Sequence, residues 1–165
     1  MTTLSEVRPS WVTRVFGAKL LGWLALLGLS AAFLNGGITK AMDFTGAVAE
    51  MKHFGLWPPA LVAVLTITLE LGAPALILCG ICRWAGALAL AGFTLCTAFL
   101  AHRFWELAPP ERFMEANAFF DHMGLIGGLL FVAWHELRCS GARDEGRGSV
   151  SALNWNPPHR QHRRS

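Results

Sequence analysis

PALVAVLTITLELGAPALILC, residues 59–79, is an almost unbroken apolar run with one carboxylate, Glu70, near its middle. A helix that crosses a bilayer needs about 20 apolar residues, and this run has that length. Hydrocarbon offers no water to the backbone, so every N–H and C=O must bond within the segment, and the run is predicted helical. An acid at that depth costs about 2.5–3.5 kcal/mol on insertion scales, and such residues face a bundle interior or a wet cavity. The stretch therefore reads as a spanning helix that carries polarity into the membrane.

Three more runs of the same kind lie outside it: Leu20 to Thr39, Trp84 to Ala101 and Ala116 to Leu137. The chain is 53% hydrophobic and 15% charged, with a mean hydropathy of +0.42, whereas soluble domains carry about 25% charged residues. Four apolar helices in 165 residues would leave a soluble protein almost nothing with which to build a polar surface. The predicted fold is all-α, an antiparallel transmembrane four-helix bundle with a disordered C-terminal tail. Its predicted parts are a polar arm (1–16), the four-helix domain (17–137) and a basic tail (138–165). The first run continues through Asn35-Gly36-Gly37-Ile38 to Lys40, which favours an uncleaved first helix, ending near Met42, over a signal peptide. Between the first two spans, Phe44, Val48, Met51 and Phe54 recur at helical spacing, so a short interfacial helix is expected there. The second span is expected to end near Cys82, the third near Phe104, and the fourth to run from about Ala116 to Leu137. The remainder, rich in Gly, Ser, Arg and Pro, has little to bury.

Lysine and arginine orient such bundles, with the excess on the cytoplasmic side. Of the fourteen basic residues, ten fall on the side of the termini and the Arg83 turn, and four (Lys40, Lys52, Arg103 and Arg112) on the other. Both termini are therefore expected in the cytoplasm of a bacterial-type plasma membrane. Trp57, Trp84, Trp105 and Trp134 fall near span ends, as an aromatic belt requires. The tail with His159, Arg160, His162, Arg163 and Arg164 suits a solvated end near anionic lipid, and no nucleic-acid partner is expected. Gly124 and Gly128 form a G-x-x-x-G that lets a neighbouring helix approach closely, within the bundle or in a homodimer; Gly22 with Gly28, and Gly86 with Gly92, are expected to serve packing as well.

Glu70 is the first candidate for chemistry. Pro74, four residues later, has no N–H to give to the Glu70 carbonyl, and Thr66 lies one turn earlier on the same face. Two readings stand: an acid that handles protons or holds a ligand, and a structural acid paired with Arg, Lys or Trp of a neighbouring helix. The second candidate is a ring at the outer ends of the helices: Lys40 and Asp43, His102 and Arg103, and Asp121 and His122. Such a ring suits an anionic head group or small acid, with histidine moving protons, or else simple interfacial pairing. Cys79 and Cys82 form a C-x-x-C, with Cys96 and Cys139 elsewhere. A reducing cytoplasm and the lack of a second such pair favour packing residues over a redox or zinc site. No metal site, haem, flavin or iron–sulfur ligand pattern is complete.

The ordered set of segments resembles the DoxX family of small four-helix membrane proteins. Phe33-Leu34-Asn35-Gly36-Gly37-Ile38-Thr39-Lys40 is similar to the family's glycine–x–x–lysine at the end of helix one. Leu69-Glu70-Leu71-Gly72-Ala73-Pro74 is similar to its glutamate–glycine segment, and Gly80-Ile81-Cys82-Arg83-Trp84-Ala85-Gly86 to its glycine–arginine hairpin. His102-Arg103-Phe104-Trp105 and Phe119-Phe120-Asp121-His122 resemble its third-loop and helix-four pattern. Ala73 stands where a second glycine is expected, and His122 where asparagine is common. The resemblance covers roughly residues 14–137. It implies a membrane subunit associated with a quinone-linked or redox-stress oxidoreductase system, with Lys40, Glu70, Arg83 and His102 as the positions to test and a quinone as the bound molecule. A non-enzymatic scaffold for other subunits and a small carrier of anionic solutes, captured by Lys40 and Arg103, are the other readings.

Overall fold

The computed structural model describes residues 19–153, with side chains through residue 141; the polar arm and the tail after residue 153 lie outside the described residues. The described residues form five α-helices and one 3-10 turn: α1 (Lys19–Met42), α2 (Phe44–His53), α3 (Pro59–Cys79), α4 (Arg83–Ala101), the turn Phe104–Glu106, and α5 (Glu111–Leu153). Helices α1, α3, α4 and α5 are long and apolar enough to cross a membrane. The 21 residues of α3 rise about 31 Å at 1.5 Å each, close to the thickness of a hydrocarbon core.

Local chemistry sets the breaks. Asp43 caps α2, its carboxylate accepting the Gly46 N–H at 2.9 Å. This is the short helix expected between the first two spans, and its Ala47 and Met51 bury against Ala63 of α3. Pro59 opens α3, where a missing N–H does no harm. At the other end Gly80 adopts a left-handed conformation, φ 78°, and its N–H reaches the Leu76 carbonyl, the conformation for which glycine has no Cβ penalty. Thus α3 stops at Cys79, before the expected Cys82, and Gly80 to Cys82 form the tight link to α4. Arg83 Nε donates to the Ile77 carbonyl at 2.9 Å, satisfying an acceptor that the end of α3 leaves open. The same guanidinium meets Glu136 of α5 at 3.2 Å.

Helix α4 ends at Ala101 rather than near Phe104, because the chain tightens into the 3-10 turn whose Phe104 and Trp105 rings meet Phe119 of α5 edge to face. Helix α5 begins at Glu111 instead of Ala116 and runs on to Leu153 instead of ending near Leu137. The apolar pattern stops at Leu137, but no proline follows until Pro157. Without a proline to end it, the helix outlasts the span.

Helix α1 lies along α3, α3 along α4 and α4 along α5, while α1 and α5 meet only narrowly. The central core joins Phe33, Ala73, Ile77, Ala87, Leu90, Ala91, Leu129 and Ala133. Alanine dominates because van der Waals contact, rather than hydrophobic exclusion, holds helices together in lipid. Large apolar side chains point outward instead, among them Leu61, Leu65, Leu88, Phe99, Leu130 and Phe131, a surface suited to hydrocarbon and not to water. The glycines divide sharply. A Cβ on Gly86 would lie 2.8 Å from the Ala73 carbonyl oxygen, whereas Gly22, Gly28 and Gly92 have nothing within 4 Å. Of those four expected packing glycines, Gly86 alone sits at a close helix crossing.

One prediction arises from the α3–α4 link. Arg83→Ala removes the cap on Ile77 and leaves Glu136 alone, and is expected to cost about 1.5–3 kcal/mol, the worth of a charge-assisted hydrogen bond. Because Arg83 is about a third exposed, the ion pair itself contributes little of this. Arg83→Lys should restore the charge but not the planar fork. Denaturant unfolding in mild detergent checks this, and identical midpoints for wild type and Arg83→Ala would contradict it.

Candidate functional site

Glu70 is 6% exposed and projects from α3 toward α1. Two adjacent glycines of α1 make room for it. A Cβ on Gly36 would lie 3.2 Å from Glu70 Oε2, and one on Gly37 would lie 3.0 Å from Glu70 Cβ and 2.8 Å from the Leu71 side chain. The backbone of α1 is therefore the wall against which the carboxylate rests. One turn beyond the glycines, Lys40 turns inward, and its Nζ donates to both carboxylate oxygens at 3.2 and 3.3 Å. Thr66 is buried on the Glu70 side of α3.

The pair is the structural partner that one sequence reading required, and it also retains chemical capacity. An ammonium has three donors, and a carboxylate has about four lone-pair sites. Two contacts from one nitrogen leave one donor on Lys40 and acceptor sites on Glu70 for a ligand. Desolvation makes a lone buried charge costly, and the opposite charge offsets it, so each residue is the condition for the other's burial.

The ring expected at the outer helix ends is not continuous. His102 Nδ1 lies 2.8 Å from Glu115 Oε2, and its ring stacks obliquely on His122, centroids 4.7 Å apart. His122 Nδ1 donates to the Ala118 carbonyl at 2.8 Å. Arg103 meets Glu106 at 3.4 Å on the surface, an exposed pair of small energetic weight. Asp43 is the α2 cap, and Asp121 is exposed, with no hydrogen bond or ion pair among the described residues. Among the described residues no hydrogen bond or ion pair joins the histidine pair to Lys40 and Glu70, and Lys40 and Arg103 answer different carboxylates. The reason is helix rotation: Lys40 faces α3, while His102 and His122 face each other across α4 and α5.

Arg83 lies at the opposite end, with Glu136. Cys79 ends α3 at the same link and Cys82 closes the link, and both are exposed, so neither fills the core as a small packing residue. Among the described residues no three His, Cys, Asp or Glu side chains are arranged to hold a metal ion. Sequence reasoning missed Glu115 and Glu136 as partners. Glu115, Phe119 and His122 do share a face at helical spacing, a signal for the first. Glu136 reads only as the polar end of a span.

The family model for DoxX matches residues 22–103, a range that holds Lys40, Glu70, Arg83, His102 and Arg103. Two curated proteins of Escherichia coli K12 are similar. Inner membrane protein YphA is 28% identical over 120 residues, 72% of this chain and 86% of that protein. Inner membrane protein YqjF is 34% identical over 102 residues, 61% of this chain and 72% of that protein. No solved structure gives a significant match.

Proposed function

The chain belongs to the DoxX family and is an integral inner-membrane protein, and on that premise we propose that it is a membrane subunit of a quinone-linked oxidoreductase system. The observation that carries the reading is the buried Lys40–Glu70 pair, held against Gly36 and Gly37 inside membrane-crossing helices. A quinone, when bound, supplies two-electron chemistry that consumes two protons; its electrons would come from a partner oxidoreductase. The residues present fit such a molecule. Lys40 retains one N–H donor for a carbonyl oxygen, and Glu70 is an acid placed where bulk water is excluded. In this reading Lys40 orients the head and Glu70 holds and delivers a proton, with both termini on the cytoplasmic side as the basic residues favour.

Quinone extracted from protein purified in mild detergent tests the reading. Wild type is expected to retain it, and Glu70→Gln, which keeps shape and removes the charge, to lose at least tenfold. His102→Ala, in the separate histidine pair, should leave retention unaltered. Equal quinone in wild type and Glu70→Gln would refute the assignment.

A second reading, a scaffold that holds other subunits, is favoured by α5. Asp121 is exposed on the spanning segment, and Gly124 has nothing within 4 Å. Gly128, by contrast, is closed by Leu29 of α1, which leaves only part of the G-x-x-x-G for a second chain. Asp121→Leu is expected to release any stable partner recovered by affinity purification; recovery of the same partner from both forms would count against this reading.

A further inference from the structure

A cleft of about 610 Å³ opens between α1 and α5 at the end of the bundle that carries Arg83. It exists because Leu29 on Gly128 sets the narrow contact of the two helices, and toward Lys19 they diverge. Gly22 and Leu26 form one apolar wall, Phe131 and Val132 the other, and Lys19 and Arg83 stand at its polar mouth. His135 and Glu136 also line it. The volume lies within the roughly 300–1,000 Å³ range of small-molecule sites. Its apolar walls belong to membrane-crossing helices, so its occupant comes from the bilayer. An empty apolar cleft of this size would forfeit dispersion contacts along its whole lining.

We propose that this cleft binds one anionic phospholipid, its acyl chain between α1 and α5 and its phosphate at Lys19 and Arg83. Charge selects the head group. Glu136 answers Arg83, while Lys19 has no carboxylate partner among the described residues, so the mouth carries a surplus positive charge. Depth agrees. Arg83 is the first residue of α4 and Lys19 lines the same mouth; the exposed rings of Trp23 and Trp84 lie within one turn of them in sequence, and Trp134 lies near Leu137, where the apolar run of α5 stops, the level at which tryptophan marks the head groups. This site is at the opposite end from Lys40 and Glu70 and does not depend on the quinone reading.

The full chain, reconstituted in vesicles of equal phosphatidylglycerol and phosphatidylcholine and released for native mass spectrometry, tests it. Wild type is expected to retain one phospholipid with roughly fivefold preference for phosphatidylglycerol, the effect of one basic side chain near a membrane surface. Gly22→Leu has open space at its Cβ and should narrow the apolar part of the cleft and lower retention severalfold without lowering the unfolding midpoint. Lys19→Gln should erase the preference and keep the occupancy. Equal retention of the two lipids by wild type, or retention unaltered in Gly22→Leu, would overturn the proposal.

Discussion

Lys40→Met is expected to destabilise the bundle by about 3–5 kcal/mol, and the double variant Lys40→Met, Glu70→Met to recover most of that loss. The asymmetry follows from burial. The side chains of Glu70 and Lys40 are 7% and 18% exposed, so removing the ammonium leaves a carboxylate against Gly36 and Gly37 with neither solvent nor countercharge. Removing both charges also removes the desolvation cost, and two methionines of adaptable shape fill the space. A membrane reference state softens such differences, since an unfolded helix in lipid finds other polar partners, and the ordering of the variants is what the titration reads. Denaturant titration in mild detergent, with quinone content measured on the same samples, separates structure from function. A double variant that regains stability yet retains no quinone would assign the pair a binding role beyond holding helices together. A double variant less stable than either single variant would show that the pair is net stabilising, against this expectation.

Gly86→Ala is expected to cost about 1–3 kcal/mol, as overpacking of a well-filled site does, and Gly86→Leu more. The added carbon would sit 2.8 Å from the Ala73 carbonyl oxygen and 3.2 Å from Ile77 Cγ1. The first is backbone and cannot rotate away, so α3 and α4 must separate, and with them the Ala73, Ile77, Ala87 and Leu90 contacts of the core. Gly92→Ala on the same helix meets nothing within 4 Å and should be neutral or gain up to about 1 kcal/mol from helix propensity. The two variants differ by the same methyl group, so propensity cancels and the difference in unfolding midpoint reports the crossing alone. Equal midpoints would mean that α3 and α4 are not pressed together at Gly86.

The sequence by itself determined the spans, the expected short helix after Asp43 and the membrane setting. These depend on neighbours within one turn or on sustained hydropathy, and hydrocarbon permits little besides a helix to such runs. It also singled out Glu70 as a buried acid, because the cost of a charge at mid-span depends on depth and not on partner. The tertiary structure alone decided that Lys40, thirty residues away, answers Glu70; that His102 meets Glu115 and His122 instead of joining Lys40; that Gly86 and Gly37 are closed while Gly22, Gly92 and Gly124 are open; and that α1 and α5 part to leave a cleft. Each of these depends on how a helix is rotated about its axis and where it crosses its neighbour. A uniformly apolar span of period 3.6 carries almost no amphipathic signal to set that rotation, since lipid and protein interior are equally acceptable surroundings for leucine.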